Sequence, residues 1–267
     1  MPVKLKRTYP ALKLAKTPLI FVLAQVRMAP IANISDYLPK LQEKFRQENF
    51  PLLTKREFRV EDNSGKPTAT KTDTKVQWEF INSTRTTSVL VDEESLTLEV
   101  THYESGDVFL ETLLKAINIL KDIANPTIVS RIGLRYIDLI KPIEGLELKD
   151  LVKKQLRDDV LSSRGENIIH NWTVLKQTDS KTRLLVRYKE AKDGFALPSD
   201  LGPMISLKLK QNPIQTSCFG LLDTDHFNYE ECPFDAEVII DRACMLHDAL
   251  DISFRDVVTE GALKAWE

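Results

Sequence analysis

The hydrophobic side chains of this chain switch between two spacings, and this switching constrains the fold more than any other feature. Between Phe58 and Val100 they recur at every second residue in four short segments, as in half-buried strands. From Asp107 to Ala124 they recur at every third or fourth residue, as in an amphipathic helix that Asn125-Pro126 ends. The sequence therefore predicts four antiparallel strands followed by a helix.

A predicted strand and a predicted helix precede this pattern. The order strand, helix, several strands, helix then recurs in the second part of the sequence. Leu19–Met28 predicts a strand between two prolines, and an amphipathic helix follows from Ile34 to Phe45. A long strand, Thr127–Ile140, opens the second series. The remaining predicted strands lie near Ile168–Gln177, Arg183–Glu190, Met204–Lys210 and Cys218–Asn228, and the remaining predicted helices near Leu148–Leu156, Asp235–Leu250 and Ser253–Thr259.

These patterns predict an α+β fold in which helices pack on one face of antiparallel sheets. The predicted units are a basic N-terminal arm over residues 1–16, a first α+β half over 17–142 and a second over 143–267. We expect two similar halves, each with a strand, a helix, three or four strands and a helix. Arg131–Tyr136 and Arg183–Tyr188 look alike, but they do not fall at equivalent places in the two series.

Composition and charge exclude several classes of protein. The 37 Lys and Arg residues nearly balance 39 Asp and Glu residues, so a partner bound mainly through phosphates, such as nucleic acid, is not expected. Cys218, Cys232 and Cys244 are too few for a disulfide framework and indicate a cytoplasmic location. The apolar run Leu19–Ala24 is too short to span a membrane, so no membrane association is expected.

The chain carries none of the common cofactor or catalytic motifs. Glycine-rich phosphate-binding loops, His-Glu-x-x-His and Gly-x-Ser-x-Gly are all missing from the sequence, which has only nine glycines. We therefore expect no cofactor and assign no catalytic residue.

Two arginines on one face of a predicted strand form the first candidate binding site. Strand alternation places Arg131, Gly133 and Arg135 on one face of the sheet. Gly133 leaves a gap between the two arginines through which a small anionic ligand can approach. The alternative is that the arginines pair with Asp223 and Asp225, which have the same spacing on a late strand. We favour the ion pairs, because such networks often resemble functional sites.

A second cluster, His226, Cys232, Cys244 and His247, contains the residue types of a tetrahedral zinc site. Its spacing matches no familiar zinc finger, and buried cysteine is commonly an inert apolar residue. We therefore do not favour zinc, and we expect His247 to form a hydrogen bond in the core.

An enzyme is the alternative function that the sequence allows. Its hydrolase-like site would combine Asp223, Asp225, His226 and His247, either as an acidic site or around a metal. The third hypothesis is binding of nucleic acid through the basic N-terminal arm and the strand arginines, since Arg183 and Arg187 repeat the spacing of Arg131 and Arg135.

Several segments resemble one family of proteins. Pro18-Leu-Ile, Trp78, Arg131-Ile-Gly-Leu-Arg-Tyr-Ile137, Leu221-Leu-Asp-Thr-Asp225 and the closing Leu246-His247, Phe254, Leu263 and Trp266 resemble a sporadically distributed bacterial family of unknown function. The resemblance spans nearly the whole chain. Leu19-Ile-Phe-Val stands where many relatives carry an acidic residue. The resemblance implies a cytoplasmic bacterial protein with an accessory or defence role, and it provides no catalytic residues.

The leading hypothesis is a non-catalytic binding or protein-interaction module. Its partner would be a protein or a small anionic ligand, and exposed sheet edges would permit a homo-oligomer. The candidate binding residues are Arg131, Arg135, Tyr136, Asp223, Asp225 and His247.

Overall fold

An antiparallel sheet of ten strands forms the centre of the described part of the chain. The computed structural model describes residues 12, 14–61, 72–157, 165, 167–201 and 205–267. The strands are β1 Leu19–Met28, β2 Leu52–Glu61, β3 Thr72–Ile81, β4 Thr87–Val91, β5 Ser95–Val100, β6 Ile128–Ile140, β7 Ile169–Asp179, β8 Thr182–Ala191, β9 Gly194–Phe195, β10 Ile214–Gln215, β11 Phe219–Asn228 and β12 Cys232–Pro233. Their order in the sheet is β2-β3-β4-β5-β1-β6-β11-β8-β7. In addition, β12 pairs with β6, and β9 pairs with β10 separately.

Five helices pack against this sheet. They are α1 Leu38–Gln47, α2 Gly106–Ala124, α3 Leu148–Leu151, α4 Ala236–Val257 and α5 Glu260–Trp266. The hydroxyl of Ser105 caps α2, and the carboxylate of Asp235 caps α4 by accepting two backbone N–H groups. Asn125 ends α2 in the left-handed conformation. None of the helices in the described ranges combines the length and apolar character needed to cross a bilayer.

The main hydrophobic core lies between the sheet and the helices. Alternation along β1 directs Val22, Ala24 and Val26 into this core, where α2 and α4 also contact each other. The predicted α+β fold is therefore confirmed. We call this side of the sheet the helix face and the other side the open face.

The two central strands, β1 and β6, come from the beginning and the middle of the chain. They pair antiparallel from Leu19 opposite Asp138 to Met28 opposite Val129. Outside β1 lie four strands, β5, β4, β3 and β2, whereas outside β6 lie three, β11, β8 and β7. The strands outside β1 and those outside β6 follow a related order, but their numbers differ. The internal duplication is not confirmed and stays a prediction.

Part of the open face is covered by an irregular segment over residues 196–201 and 205–210, which we call the strap. Ala196, Leu197 and Leu201 pack on a second apolar cluster that includes Phe21 and Ile137. Further along, the backbone N–H of residue 208 donates to the carbonyl of residue 85, over the first half of the sheet. The strap therefore connects the second half of the chain to the strands of the first.

Several predicted elements differ from the observed ones. Residues 205–210 form no strand, because their backbone groups bond to loops and side chains of the first half and do not enter the sheet. The helix predicted over Leu148–Leu156 is a single turn, α3, followed by a 3-10 turn, Lys154–Leu156. The helices predicted at Asp235–Leu250 and Ser253–Thr259 are largely one continuous helix, α4.

Candidate functional site

A cavity of about 640 Å³ lies on the helix face, where the start of α2 meets α4 and the ends of β1 and β6. Exposed residues at its mouth include Ala15, Glu104 and Glu267. Its remaining lining residues are Leu12, Leu14, Thr17, Leu19, Tyr103, Ser105, Gly106, Asp107, Tyr136, Asp138, Thr224, His247, Leu250, Asp251 and Phe254. Two of the sequence-predicted binding residues, Tyr136 and His247, thus line one cavity.

A hydrogen-bonded group of two tyrosines and a histidine lies at the inner end of this cavity. The phenol oxygen of Tyr103 is 3.0 Å from Nε2 of His247 and 3.3 Å from the phenol oxygen of Tyr136. The rings of Tyr136 and His247 meet edge to face, with centroids 5.9 Å apart. Burial raises the pKa of Tyr136 well above its ordinary value, so its phenol stays protonated. The expected core hydrogen bond of His247 is therefore present, and its partner is Tyr103.

A buried carboxyl group, that of Asp138, lines the same cavity. Asp138 lies two residues after Tyr136 on β6, so both side chains point to the helix face, and Asp138 is 5% exposed. No residue in the described part of the chain donates a hydrogen bond to its carboxyl. Burial and the negative charge of Asp251 raise the pKa of Asp138 to about 8. The carboxyl is therefore mostly protonated at neutral pH.

The two aspartates Asp223 and Asp225 lie on the open face, together with the strand arginines. Asp223 accepts two hydrogen bonds of 2.8 Å from the Arg135 guanidinium and a third of 2.8 Å from Nε of Arg187. Asp200 of the strap accepts two more from Arg135, at 2.6 and 3.1 Å. Both edges of the Arg135 guanidinium are thus occupied by carboxylates of the protein itself.

Hydrogen bonding and burial shift the pKa values of these charged groups in opposite directions. Burial alone would lower the pKa of Arg135, but its bonds with Asp223 and Asp200 outweigh burial, and the pKa is raised. The hydrogen bond from Arg135 lowers the pKa of Asp200. Burial raises the pKa of Asp225. The favoured ion-pair interpretation of the two strand arginines agrees with this geometry.

Gly133 provides space for the side chain of Arg131. The guanidinium of Arg131 lies over this glycine, so that a Cβ atom added there would be 2.8 Å from Nη1. The same guanidinium is 4.5 Å from the ring centroid of Phe227 and 3.4 Å from Asp225. The gap that the sequence suggested for an incoming anion is therefore filled by Arg131 itself.

Two glycine-to-alanine substitutions should have unequal effects. A Cβ at Gly220 would lie 2.8 Å from the hydroxyl oxygen and 2.9 Å from Cε2 of Tyr188, and this buried side chain cannot move aside freely. We expect Gly220→Ala to lower the free energy of unfolding by about 1–3 kcal/mol. In Gly133→Ala the added Cβ would contact only the flexible end of the Arg131 side chain, so the loss of unfolding free energy should be smaller. Urea denaturation of both variants measures the two losses of unfolding free energy. Equal losses would contradict the conclusion that Tyr188 yields less readily than Arg131.

The sheet separates the four residues of the hydrolase-like alternative. Asp223 and Asp225 point to the open face, whereas His226 points to the helix face and His247 lies on α4. Nδ1 of His226 is 3.2 Å from the carbonyl oxygen of residue 246, and burial lowers the pKa of this histidine. The four side chains therefore do not converge on one substrate.

The four residues considered as zinc ligands, which the sequence analysis did not favour, belong to separate parts of the structure. Among the residues that the structure describes, no group of three or more His, Cys, Asp or Glu side chains could hold a metal. His226 and His247 belong to separate hydrogen-bond groups, on β11 and α4. Cys232 and Cys244 are free thiols whose pKa values are raised by burial.

The arginines considered for nucleic acid have partners within the protein. Arg183 lies 5.0 Å from the ring centroid of Tyr229, and Arg187 pairs with Asp223. Most of the basic arm over residues 1–16 lies outside the described residues.

Comparisons with known proteins add no assignment to this geometry. No family model, curated protein or solved structure matches the chain.

Three polar residues around Tyr136 and His247 were not among the candidates from the sequence: Tyr103, Asp138 and Asp251. The sequence held a signal for two of them. Asp138 interrupts the otherwise apolar end of its strand, Tyr136–Ile140, which marks a buried carboxyl. Asp251 follows His247 by one helical turn and shares its face. Tyr103 lies in the turn before α2 and carried no such signal.

Proposed function

We propose that this protein is a non-catalytic binding protein that holds a small organic molecule in the cavity on the helix face. The observation that carries the proposal is the cavity of about 640 Å³, whose size lies within the range of small-molecule sites. Its lining combines apolar side chains with a few convergent polar groups, which is the composition typical of such sites.

The polar groups at the inner end of the cavity support recognition. Tyr103, Tyr136 and His247 hold one another through hydrogen bonds and ring contacts, so their positions are fixed before a ligand arrives. Asp138 adds a carboxyl group that a ligand can bind. A preorganised set of this kind favours binding, because little side-chain entropy remains to be lost.

The open face gives less support for a small-ligand site. The guanidinium of Arg135 is held on two edges by Asp223 and Asp200, so an anion would have to displace a carboxylate of the protein. We therefore prefer the helix-face cavity to the anion site expected from the strand arginines.

A cytoplasmic location and membership of the bacterial family remain parts of this proposal. The three free cysteines support a reducing compartment. The Arg131–Tyr136 strand and the closing pattern from Leu246 to Trp266 support the family resemblance. An accessory or defence role rests on that resemblance alone.

Native mass spectrometry beside denaturing mass spectrometry tests the proposed function. Untagged protein purified from a bacterial cytoplasm should carry an extra mass that denaturation removes. In Ala15→Trp, an indole placed at the mouth of the cavity should reduce the fraction of protein carrying this mass several-fold. Ala32→Trp is the matched control, because Ala32 is also exposed but does not line the cavity.

Two results would overturn the proposed function. One is a bare chain of 30.5 kDa in every preparation, which would remove a stably held small molecule. The other is an extra mass that Ala15→Trp and Ala32→Trp retain equally, which would place the ligand elsewhere.

A further inference from the structure

We infer that the ligand of the helix-face cavity is an organic cation, with an ammonium group at Asp138 and a hydrocarbon body on the apolar wall. This inference rests on the proposed function and names the chemical class of its ligand. It differs from the small anionic ligand that the strand arginines suggested.

The charge of the lining is the first observation. Among the described residues that line the cavity there is no Lys and no Arg. The acidic lining residues are Glu104, Asp107, Asp138, Asp251 and Glu267. Asp107 and Asp251 also have interaction partners within the chain, so the carboxyls that we count for a ligand are those of Glu104, Asp138 and Glu267. An anionic ligand would meet these groups with charge of its own sign, whereas a cation would meet charge of the opposite sign.

The second observation is the position of Asp138, which is independent of the number of acids. Its side chain is 95% buried, lines the cavity and receives no hydrogen bond from the described residues. Without a partner this carboxyl stays protonated when buried, and it can ionise only where donors and a compensating positive charge are supplied. A ligand ammonium supplies up to three N–H donors together with the charge, so it satisfies both requirements at once.

The walls of the cavity suit the rest of such a ligand. Leucine and phenylalanine side chains provide an apolar surface on one side: Leu12, Leu14, Leu19, Leu250 and Phe254. The rings of Tyr103 and Tyr136 lie near the carboxyl and can attract a cation through their π faces. The combination of an acid, aromatic rings and an aliphatic wall fits an amine with a hydrocarbon body better than a hydrated metal ion.

Three probes that share a phenyl ring and a three-carbon chain test the class of ligand: 3-phenylpropylammonium, 3-phenylpropanoate and 3-phenylpropan-1-ol. They are titrated calorimetrically into the full-length protein at about pH 8.5, where most Asp138 carboxyls are ionised. We expect the ammonium probe to bind about tenfold or more tightly than the alcohol, and the carboxylate probe to bind most weakly.

Two variants identify the residue responsible. Asp138→Asn should remove the preference for the ammonium probe and retain binding of the alcohol, because the apolar wall is unchanged. Asp200→Asn is the matched control, since Asp200 lies on the open face and should leave the preference intact.

Each remaining outcome contradicts the cation inference. Equal affinity for the ammonium and alcohol probes would overturn it and leave the proposed function standing. An ammonium preference that survives Asp138→Asn would overturn the role of Asp138. Failure of all three probes would also overturn the inference, while the mass-spectrometric comparison decides the proposed function separately.

Discussion

Asp138→Asn should increase the stability of the protein, and the gain should grow with pH. The pKa of Asp138 rises from 3.8 to about 8 on folding, because of burial and the charge of Asp251. The folded state therefore holds a proton that the unfolded state releases, and stability is lost as pH rises from the unfolded value through the folded one. Between about pH 5 and about pH 8 the difference between the variant and the wild type should grow by roughly 4 kcal/mol.

Urea denaturation at several pH values measures this difference. Asp193→Asn is the control, because Asp193 is exposed and its replacement should change the unfolding free energy little at any pH. Parallel stability curves for the wild type and Asp138→Asn would show that the carboxyl is not held protonated in the folded state.

Asp223→Asn should be strongly destabilising. Asp223 is buried on the open face and is the shared carboxylate of Arg135 and Arg187. The substitution keeps the shape of the side chain and removes its charge, so that the buried guanidinium of Arg135 loses one of its two carboxylates. Removing one member of a buried ion pair costs about 3–5 kcal/mol of unfolding free energy.

Asp200→Asn provides a matched comparison on the same guanidinium. The Asp200 side chain is 60% exposed, so water can replace much of the stabilisation that its ion pair with Arg135 provides. We expect a loss of about 1 kcal/mol or less. If the two asparagine variants lose equal stability in chemical denaturation, burial does not determine the strength of these ion pairs.

Much of the fold could be predicted from the sequence, because local hydrophobic spacing determines most of its elements. Leu19–Met28 was predicted with its observed bounds, and α2 began within one residue of the predicted start. The alternation of Ile205, Leu207 and Leu209 predicts a strand over Met204–Lys210, of which residues 205–210 are described. Its apolar side chains do pack inward, but its backbone bonds to distant loops, and no local pattern reports such partners.

The candidate site could be predicted only in part. Alternation correctly placed Arg131 and Arg135 on one strand face, opposite Tyr136. It also places Asp225 and His226, which are neighbours on β11, on opposite faces, but it does not reveal on which side of the sheet His247 lies, because that depends on how α4 packs. The cavity also joins Tyr103 to His247, which are distant in sequence and meet only when α2 and α4 pack together.

The pairing of β1 with β6 at the centre of the sheet has a consequence for biosynthesis. Leu19 pairs with Asp138, so this interface closes only after more than half of the chain has been made. On the ribosome, β5 can cover one edge of β1 early, but the other edge stays open while residues 101–140 are translated. At about 5–20 residues per second this exposure lasts a few seconds. An exposed strand edge is a site for aggregation, so the nascent first half needs protection until β6 emerges.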